Sequence, residues 1–259
     1  MDAPLPIQKQ DVWHGFKRTI YAFEDRAAWI VEPKQEATGR PWSWCMEWPE
    51  AFTERVGIAA LLESGCHHVH LQAKGFGCDD DIAAFHRFHD FLVHTMGFAP
   101  KARLIGMSFG GFYALRYAAA YKEDVAAIYI DAPLCTFQNF QYMDAVRIPF
   151  QIPDDYDAIH DPRMPVNSAA KIVGIPVLLL YGEQDIVVDP AINCEEFTRR
   201  FRAAGGQIHV VRRNMWGHHP HGVDDPAEIL QFFDLGTIGS TGFQPVPSVQ
   251  DAIHPSTHK

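Results

Sequence analysis

The sequence predicts an α/β fold in which a mostly parallel, doubly wound sheet is covered by helices on both sides. Segments with strand-like and helix-like patterns alternate along most of the 259 residues. Two of the strand-like segments, residues 126–130 and 177–180, are unbroken apolar runs. Such runs are typical of strands that are buried on both faces, as they are in parallel sheets flanked by helices. With 47% hydrophobic residues, the chain can bury one large core.

The predicted elements begin with an antiparallel N-terminal hairpin, residues 16–23 and 27–32, around a polar turn. Further strands are predicted at residues 40–46, 67–72, 103–107, 125–130, 176–181 and 207–212. Apolar residues at helical spacing predict helices at residues 53–64, 79–96, 109–121, 191–204 and 226–233. Two helix ends carry local signals. Aspartates open the helix at residue 79, and Gly65 follows the helix that ends at residue 64.

The chain is expected to form a single domain over residues 1–235. Residues 236–259 change in character, with a Gly-Ser-Thr-Gly run followed by several prolines. This segment has too little apolar surface to fold by itself, so we expect a flexible C-terminal tail. Residues 134–170 form a long irregular stretch that carries Pro149, Pro153 and Pro162, and they are expected to form a small cap or lid.

Charge and composition exclude some classes of function. The formal net charge of −10 argues against a nucleic-acid partner. No apolar run is long enough to cross a membrane, and the N-terminus lacks the pattern of a secretion signal. Five cysteines without paired spacing fit reduced thiols. We therefore expect a cytoplasmic protein without a membrane or nucleic-acid partner; the cysteines are Cys45, Cys66, Cys78, Cys135 and Cys194.

The first candidate for a catalytic site is the turn Gly106-Met107-Ser108-Phe109-Gly110. The pattern G-x-S-x-G by itself is weak evidence, but here it follows a predicted strand and opens a predicted helix. A nucleophile elbow, the turn that carries a reactive serine, needs this strand–turn–helix setting, because the sharp turn exposes the hydroxyl and glycines leave room for the backbone. The helix N-terminus also favours the negative charge that develops in acyl transfer. We expect Ser108 to be the nucleophile.

A nucleophilic serine needs a base, and that base is usually held by a carboxylate. The carboxylate is expected after a buried strand, at the edge where α/β sheets bind ligands. Asp185 follows the strand that ends near residue 181, and its spacing from the strand is the most suitable. Glu183 and Asp189 are competitors in the same loop. Asp131, at the end of the preceding strand, is a further possible acid. The sequence favours Asp185 over Asp131 without deciding between them.

The base is expected among the histidines after the last predicted strand. A serine hydroxyl needs a base to remove its proton. His218 follows Gly217, and His219 is the runner-up. Serine, acid and histidine then occur in the chain order that this type of fold requires.

Together these residues resemble the α/β-hydrolase superfamily, particularly its dienelactone-hydrolase and prolyl-oligopeptidase-like esterase branches. The resemblance covers roughly residues 16–234. It implies an α/β-hydrolase fold, serine-dependent hydrolysis and no cofactor. It also implies an oxyanion hole with one donor from the N–H of Phe109. Many relatives have His-Gly after the third strand, whereas this chain has Cys45-Met46, so the second donor is expected from Cys45 or Met46.

Aromatic residues near the predicted site offer clues to the substrate. Trp48 and Trp216 lie in predicted loops and, with His219, could contact substrate, whereas Trp42 and Trp44 are expected in the core. A small cap would leave the site open. We therefore expect a carboxylesterase that acts on small or carbohydrate-linked acyl esters.

Three other functions are weighed against this one. A serine peptidase would use the same mechanism, and some members of the fold only bind ligands. A metal site at His218, His219 and His221, joined by His67, His68 and His70, is disfavoured. Pro220 prevents these histidines from forming a helical pair of metal ligands four residues apart, and no carboxylate lies at the spacing expected of a further metal ligand. We expect no bound metal, and activity that survives chelation.

Overall fold

The structure, a computed structural model, describes residues 5–233 of the chain. The predicted C-terminal tail at residues 236–259 lies outside the described residues. Within residues 5–233, nine strands form one mixed sheet in the order β1-β2-β3-β5-β4-β6-β7-β8-β9. The first three strands pair antiparallel, β3 meets β5 antiparallel, and all later pairings are parallel. The α/β-hydrolase arrangement that the sequence predicted is therefore confirmed.

The strands are β1 Ile7–Trp13, β2 Phe16–Phe23, β3 Arg26–Glu32, β4 Trp42–Cys45, β5 His67–Leu71, β6 Ala102–Met107, β7 Val125–Asp131, β8 Val177–Gly182 and β9 Ile208–Arg213. The α-helices are α1 Ile58–Glu63, α2 Asp79–Asp90, α3 Phe109–Ala120, α4 Met143–Arg147, α5 Pro165–Ser168, α6 Glu196–Ala203 and α7 Ala227–Phe232. Single π-helical turns extend α2 (Phe91–Thr95) and precede α6 (Ala191–Glu195), and short 3₁₀ segments occur at Lys122–Asp124 and Ala169–Ile172.

Strand β1 was not predicted from the sequence. Most of its side chains are exposed, because it is the edge strand of the described sheet and forms its ladder of hydrogen bonds with β2. Its polar residues therefore lack the apolar pattern on which the prediction of a strand depends. The predicted hairpin of β2 and β3 is confirmed, with Phe23 opposite Arg26 at the turn.

The helix predicted at residues 53–64 is shorter in the structure. Residues 53–57 form turns, and Gly57 has a left-handed backbone with φ 79° before α1 begins at Ile58. The buried residues Ile58, Leu61 and Leu62 pack on the sheet. The helical spacing was therefore correct for the second half of the segment only.

The two faces of the sheet carry separate apolar cores. Along β6, Leu104 points into one core and Ile105 into the other. The first core includes α2, α3 and α6, and the second includes α1 and α7. Trp42 and Trp44 are completely buried in the first core, as predicted. This double coverage explains the unbroken apolar runs of the parallel strands.

Residues 134–170 lie between β7 and β8 and contain α4 and α5. Their start is fixed to the body of the protein by Asn193, whose Oδ1 accepts hydrogen bonds from the amides of Cys135 (2.7 Å) and Thr136 (3.2 Å). None of the helices within residues 5–233 has the length and apolar character that crossing a membrane requires.

Candidate active site

Ser108 lies in a strained turn between β6 and α3. Its backbone has φ 49° and ψ −117°, a conformation that is costly for any residue with a side chain. Hydrogen bonds hold the turn in place. The Ser108 amide donates to the carbonyl of Asp131 (2.9 Å), and the Ser108 carbonyl accepts from the amides of Gly111 and Leu134 (3.0 Å each). The sharp turn predicted from the glycine–serine pattern is therefore present.

Gly106 leaves room for this turn. A Cβ atom built on Gly106 would lie 2.5 Å from the carbonyl oxygen of Gly110, in the first turn of α3. Backbone atoms at that distance cannot be avoided by rotating a side chain. The close approach of strand and helix thus requires glycine at this position.

The structure brings Ser108, His218 and Asp185 together. The Oγ atom of Ser108 lies 3.1 Å from Nε2 of His218, and Nδ1 of the same ring lies 2.7 Å from Oδ2 of Asp185. These contacts join residues that follow β6, β9 and β8, so they depend on the parallel sheet ending its strands at one edge. Both His218 and Asp185 are buried.

The environment of Asp185 favours its ionised form. Burial of the carboxyl acts to raise its pKa, but hydrogen bonds from His218 and from the amides of Val188 and Val187 outweigh burial, and the net pKa is lowered from 3.8. A carboxylate held in this way fixes the orientation of the imidazole and favours a proton on Nδ1. Nε2 is then left to accept a proton from Ser108.

Asp131, the other acid considered from the sequence, belongs to a different network. Its Oδ1 lies 3.0 Å from Nδ1 of His221, and its Oδ2 accepts from the amide of Gly222 (2.8 Å) and from Arg213 (3.0 Å). The Tyr129 hydroxyl also donates to this carboxylate, at 3.2 Å. Asp131 therefore holds the far end of the loop that carries His218, and it does not contact the His218 ring through any described hydrogen bond.

The remaining alternatives from the sequence are placed away from Ser108. Glu183 and Asp189 are exposed, and the Asp189 carboxylate accepts from the amide of Ala191 (2.9 Å). His219 is exposed, and its ring stacks on Phe52 with centroids 5.8 Å apart. Within the described residues, the serine hydroxyl is paired with His218 rather than His219.

The two predicted sources of a second oxyanion donor are not suitably placed. The amide of Met46 donates to the carbonyl of Ile105 (3.1 Å), so it is used in the sheet. Cys45 is buried within β4, opposite Ile105 of β6, and it does not line the pocket at Ser108. The prediction failed because the sequence does not show at which residue β4 stops pairing with β6.

Glu47, which was not predicted from the sequence, offers a better-placed amide than Cys45 or Met46. Its nitrogen lies 3.2 Å from the position that a Cβ on Gly110 would occupy, against the first turn of α3. No acceptor for this amide occurs among residues 5–233. The amide of Phe109, at the first position of α3, is likewise without an acceptor in its helix. Two unused donors thus flank the Ser108 turn.

A largely apolar pocket of about 560 Å³ opens at Ser108. Trp48, one of the predicted substrate-binding residues, lines it, together with side chains of the segment 134–146. Trp216 and His219 do not line it. The Trp216 ring instead lies beneath the guanidinium groups of Arg213 and Arg55, at 4.9 and 5.9 Å from its centroid. The spacing of aromatic residues in the sequence could not show that these two guanidinium groups cover the face of the Trp216 ring.

Two groups of possible metal ligands occur in the described part of the chain. The ligand atoms of His218, His219 and His221 lie within 4.8 Å of one another, as do those of a second group formed by His86, His89 and Asp124. In the first group both nitrogens of His218 already contact Ser108 and Asp185. A metal ion at this cluster would therefore compete with the serine–histidine contact.

Sequence comparison identifies the family. A sequence model described as the alpha/beta hydrolase family matches residues 14–171, which is more than half of the chain. The chain belongs to the alpha/beta hydrolase family. No curated protein matches the sequence.

Solved structures of other alpha/beta hydrolases share the fold of this one. The S-formylglutathione hydrolase from Agrobacterium tumefaciens is 13% identical with a TM-score of 0.64, over 89% of this chain and 96% of that one. A puromycin-hydrolyzing peptidase from Mycobacterium tuberculosis is 17% identical with a TM-score of 0.68, over 93% of this chain. The acylaminoacyl peptidase from Pyrococcus horikoshii is 12% identical with a TM-score of 0.67, over 88% of this chain.

This alpha/beta hydrolase spans 40% of the length of the puromycin-hydrolyzing peptidase and 43% of the acylaminoacyl peptidase. At such low identities the likeness concerns the fold alone.

Proposed function

We propose that this alpha/beta hydrolase is a serine hydrolase that cleaves carboxylic esters through an acyl-enzyme. The observation that carries the proposal is the continuous contact from Ser108 Oγ through His218 to Asp185, at 3.1 and 2.7 Å, beside an apolar pocket. A nucleophile, a base and an orienting carboxylate in contact are the arrangement that activates a serine hydroxyl.

The proposed reaction proceeds in two halves. Ser108 Oγ attacks the ester carbonyl while Nε2 of His218 takes the hydroxyl proton, and Asp185 stabilises the resulting imidazolium. The imidazolium then donates this proton to the departing alcohol, which leaves an acyl group on Ser108. His218 next removes a proton from water, the hydroxide attacks the acyl-enzyme, and the acid is released with the proton returned to Ser108.

The oxyanion of each tetrahedral intermediate needs fixed donors. We assign these to the amides of Phe109 and Glu47, which flank Ser108 and have no acceptor among the described residues. The Phe109 amide lies at the N-terminus of α3, where the helix dipole adds to the stabilisation of negative charge.

A panel of p-nitrophenyl esters with acyl chains of increasing length tests the proposal. We expect the protein to hydrolyse short and medium acyl esters, because the pocket is small and mainly apolar. Ser108→Ala should lower kcat by at least about a thousandfold. Ser64→Ala, at an exposed serine remote from the pocket, is the matched control and should retain the activity. Equal activity of Ser108→Ala and the parent protein would contradict the proposal.

A serine peptidase with the same mechanism is the second candidate. It is favoured by the structural likeness to enzymes described as peptidases. Aminoacyl p-nitroanilides, assayed beside the matching p-nitrophenyl esters, separate the two functions. The esterase proposal expects hydrolysis of the esters with little cleavage of the anilides, whereas efficient cleavage of the anilides would assign the site to peptides.

A further inference from the structure

The pocket at Ser108 is lined by an acidic residue, Glu47, that has no counterion in the described part of the chain. Glu47 is half-buried, and it lines the pocket together with Ser108. No Lys, Arg or His side chain within residues 5–233 forms an ion pair with it. The Glu47 carboxylate accepts a hydrogen bond from the amide of Trp48, and the nearby negative charge of Asp81 raises its pKa. Among the described residues, Lys74 is the one cation that lines the pocket, and it pairs with Asp25 instead. A largely apolar pocket with one uncompensated carboxylate attracts a positive charge.

Aromatic rings form much of the remaining wall. Phe109 contacts Phe76 and Phe140, with ring centroids 5.9 and 5.6 Å apart, and Phe140 contacts Tyr142 at 5.7 Å. Trp48 and Tyr142 are 51% and 61% exposed, so their ring surfaces are accessible to a ligand. Rings attract cations through their electron-rich faces, and aromatic cages of this kind recognise quaternary ammonium groups.

The position of Glu47 also matters for the chemistry. Its backbone lies against the first turn of α3, beside the place where the oxyanion must form. Glu47 also lines the pocket, so its negative charge opposes the charge that develops on the oxyanion in the transition state, and the apolar lining strengthens this effect. A cationic group on the substrate would neutralise Glu47 and remove this opposition. Such a group therefore favours both binding and reaction.

We propose that this pocket selects esters that carry an ammonium group, which Glu47 and the surrounding aromatic rings bind while the ester carbonyl lies at Ser108. This inference rests on the proposed ester hydrolysis and specifies its substrate class. Glu47 acts as a specificity-determining residue through its side chain, separately from the role assigned to its amide.

Pairs of esters that differ only in charge test the inference. The first pair is choline butyrate and the analogue in which a tert-butyl group replaces the trimethylammonium group. In the second pair the same two groups end the acyl chain of a p-nitrophenyl ester. Because the charge is permanent and the shapes match, the ratio of kcat/KM within a pair reports the effect of charge. The two pairs also show whether the cation belongs to the alcohol or to the acyl side.

The parent protein should prefer the cationic member of at least one pair by roughly tenfold. Glu47→Gln keeps the amide and the shape of the side chain, and it should reduce this preference to near unity. Glu54→Gln removes the same charge from an exposed position nearby and should retain the preference. Glu47→Ala, checked by circular dichroism, gives a second variant if Glu47→Gln does not fold.

Binding measured without turnover separates failure of the inference from failure of the proposed function. In Ser108→Ala, calorimetry should give a lower Kd for the cationic ester than for its neutral analogue. Ser108-dependent hydrolysis of both members at equal kcat/KM would overturn the charge inference and leave the esterase function intact. Absence of ester hydrolysis would overturn the function, and equal Kd values would then overturn the cation subsite as well. A preference that survives in Glu47→Gln would also overturn the inference.

Discussion

The Nδ1 atom of His221 lies 3.0 Å from Oδ1 of Asp131. His221 comes three residues after His218, the histidine that contacts Ser108. The loop after β9 is therefore attached to the sheet at two points, by His218 to Asp185 and by His221 to Asp131. The two carboxylates follow neighbouring parallel strands, so either one could have been the acid on sequence grounds. Their hydrogen bonds differ: Asp185 contacts the His218 ring, whereas Asp131 contacts the His221 ring.

The first prediction concerns these two acids. Asp185→Asn should lower kcat by roughly ten-thousandfold, since the amide cannot hold the required tautomer of His218. Asp131→Asn should cause a far smaller loss of kcat, because Asp131 contacts His221, Gly222 and Arg213 rather than the His218 ring. Steady-state kinetics on a p-nitrophenyl ester, with thermal melting of each variant as a check on folding, measures both effects. A severe loss in Asp131→Asn beside a mild loss in Asp185→Asn would require the roles to be exchanged.

A second prediction concerns the Ser108 turn. Gly106→Ala places a methyl group 2.5 Å from the Gly110 carbonyl, so it should destabilise the fold by about 1–3 kcal/mol and lower kcat. Gly217→Ala, beside His218, is the matched control. Its added Cβ would be no closer than 3.7 Å to a neighbour, so the substitution should be tolerated. Melting temperature and kcat are measured for both variants, and equal tolerance would show that the turn does not require glycine.

Much of this site could be predicted from the sequence, because its parts lie at strand ends. Ser108, Asp185 and His218 each follow a strand of the parallel sheet, and apolar runs make those strands easy to recognise. Glu47 could not be predicted as the free amide. Its status depends on Met46 forming the last hydrogen bond of β4, which is a matter of register rather than composition.

The failures in the fold prediction have similar physical causes. Strand β1 has a polar, exposed sequence and is stabilised by its pairing with β2, which no local pattern reveals. Trp216 was expected at the substrate pocket, but its ring is covered by Arg55, from a distant part of the chain, and by Arg213 at the end of β9. Pairing and side-chain direction between distant segments thus account for what the sequence could not show.

A third prediction concerns the pH dependence of the charge preference. Burial raises the pKa of Glu47 above 4.5, and the charge of Asp81 acts in the same direction. Tyr113 and Cys45 also feel its charge, and Lys74 lines the same pocket. Glu47 is neutral below its raised pKa, so the preference for the cationic ester should be lost at acid pH and appear as the pH increases. Both esters of a pair use the same catalytic residues, so the ratio of kcat/KM within a pair isolates the effect of Glu47.

That ratio should become independent of pH in Glu47→Gln, whereas Glu54→Gln should behave like the parent protein. A ratio that follows pH equally in the parent protein and in Glu47→Gln would assign the effect to another group.

A fourth prediction concerns stability in acid. Burial lowers the pKa of His68 from 6.5 to about 3 and that of His70 from 6.5 to about 4. Both rings stay neutral in the folded protein when the unfolded chain would already be protonated. The unfolded chain then binds more protons, so the free energy of unfolding should be greatest above pH 6.5 and should fall as the pH decreases toward 4.

Urea titrations between neutral pH and pH 5 measure this dependence. His68→Phe keeps a flat ring beside Trp13, on which His68 stacks, and removes one titrating group. Its unfolding free energy should therefore depend less steeply on pH than that of the parent protein. His94→Phe, which changes an exposed histidine, serves as the control. An unchanged slope in His68→Phe would contradict the predicted neutrality of the buried ring.

A fifth prediction concerns metal ions. Hydrolysis should survive treatment with a chelator, because the proposed mechanism uses only side chains and backbone amides. Added Zn²⁺ should inhibit, because His218, His219 and His221 can offer nitrogens within 4.8 Å and metal binding would remove the base from Ser108. His219→Gln should weaken this inhibition while retaining the basal rate. Loss of activity on chelation, restored by a metal ion, would contradict the proposed mechanism.

The most direct test of the central claim is covalent labelling with a fluorophosphonate probe, followed by mass spectrometry of the peptides. Such a probe reacts with a serine only when a neighbouring base activates the hydroxyl. We predict one adduct per chain, on Ser108, in the folded protein and a greatly reduced rate of labelling in His218→Gln. Absence of an adduct in the folded protein, or an adduct on another serine with Ser108 unmodified, would contradict the assignment of Ser108 as the nucleophile.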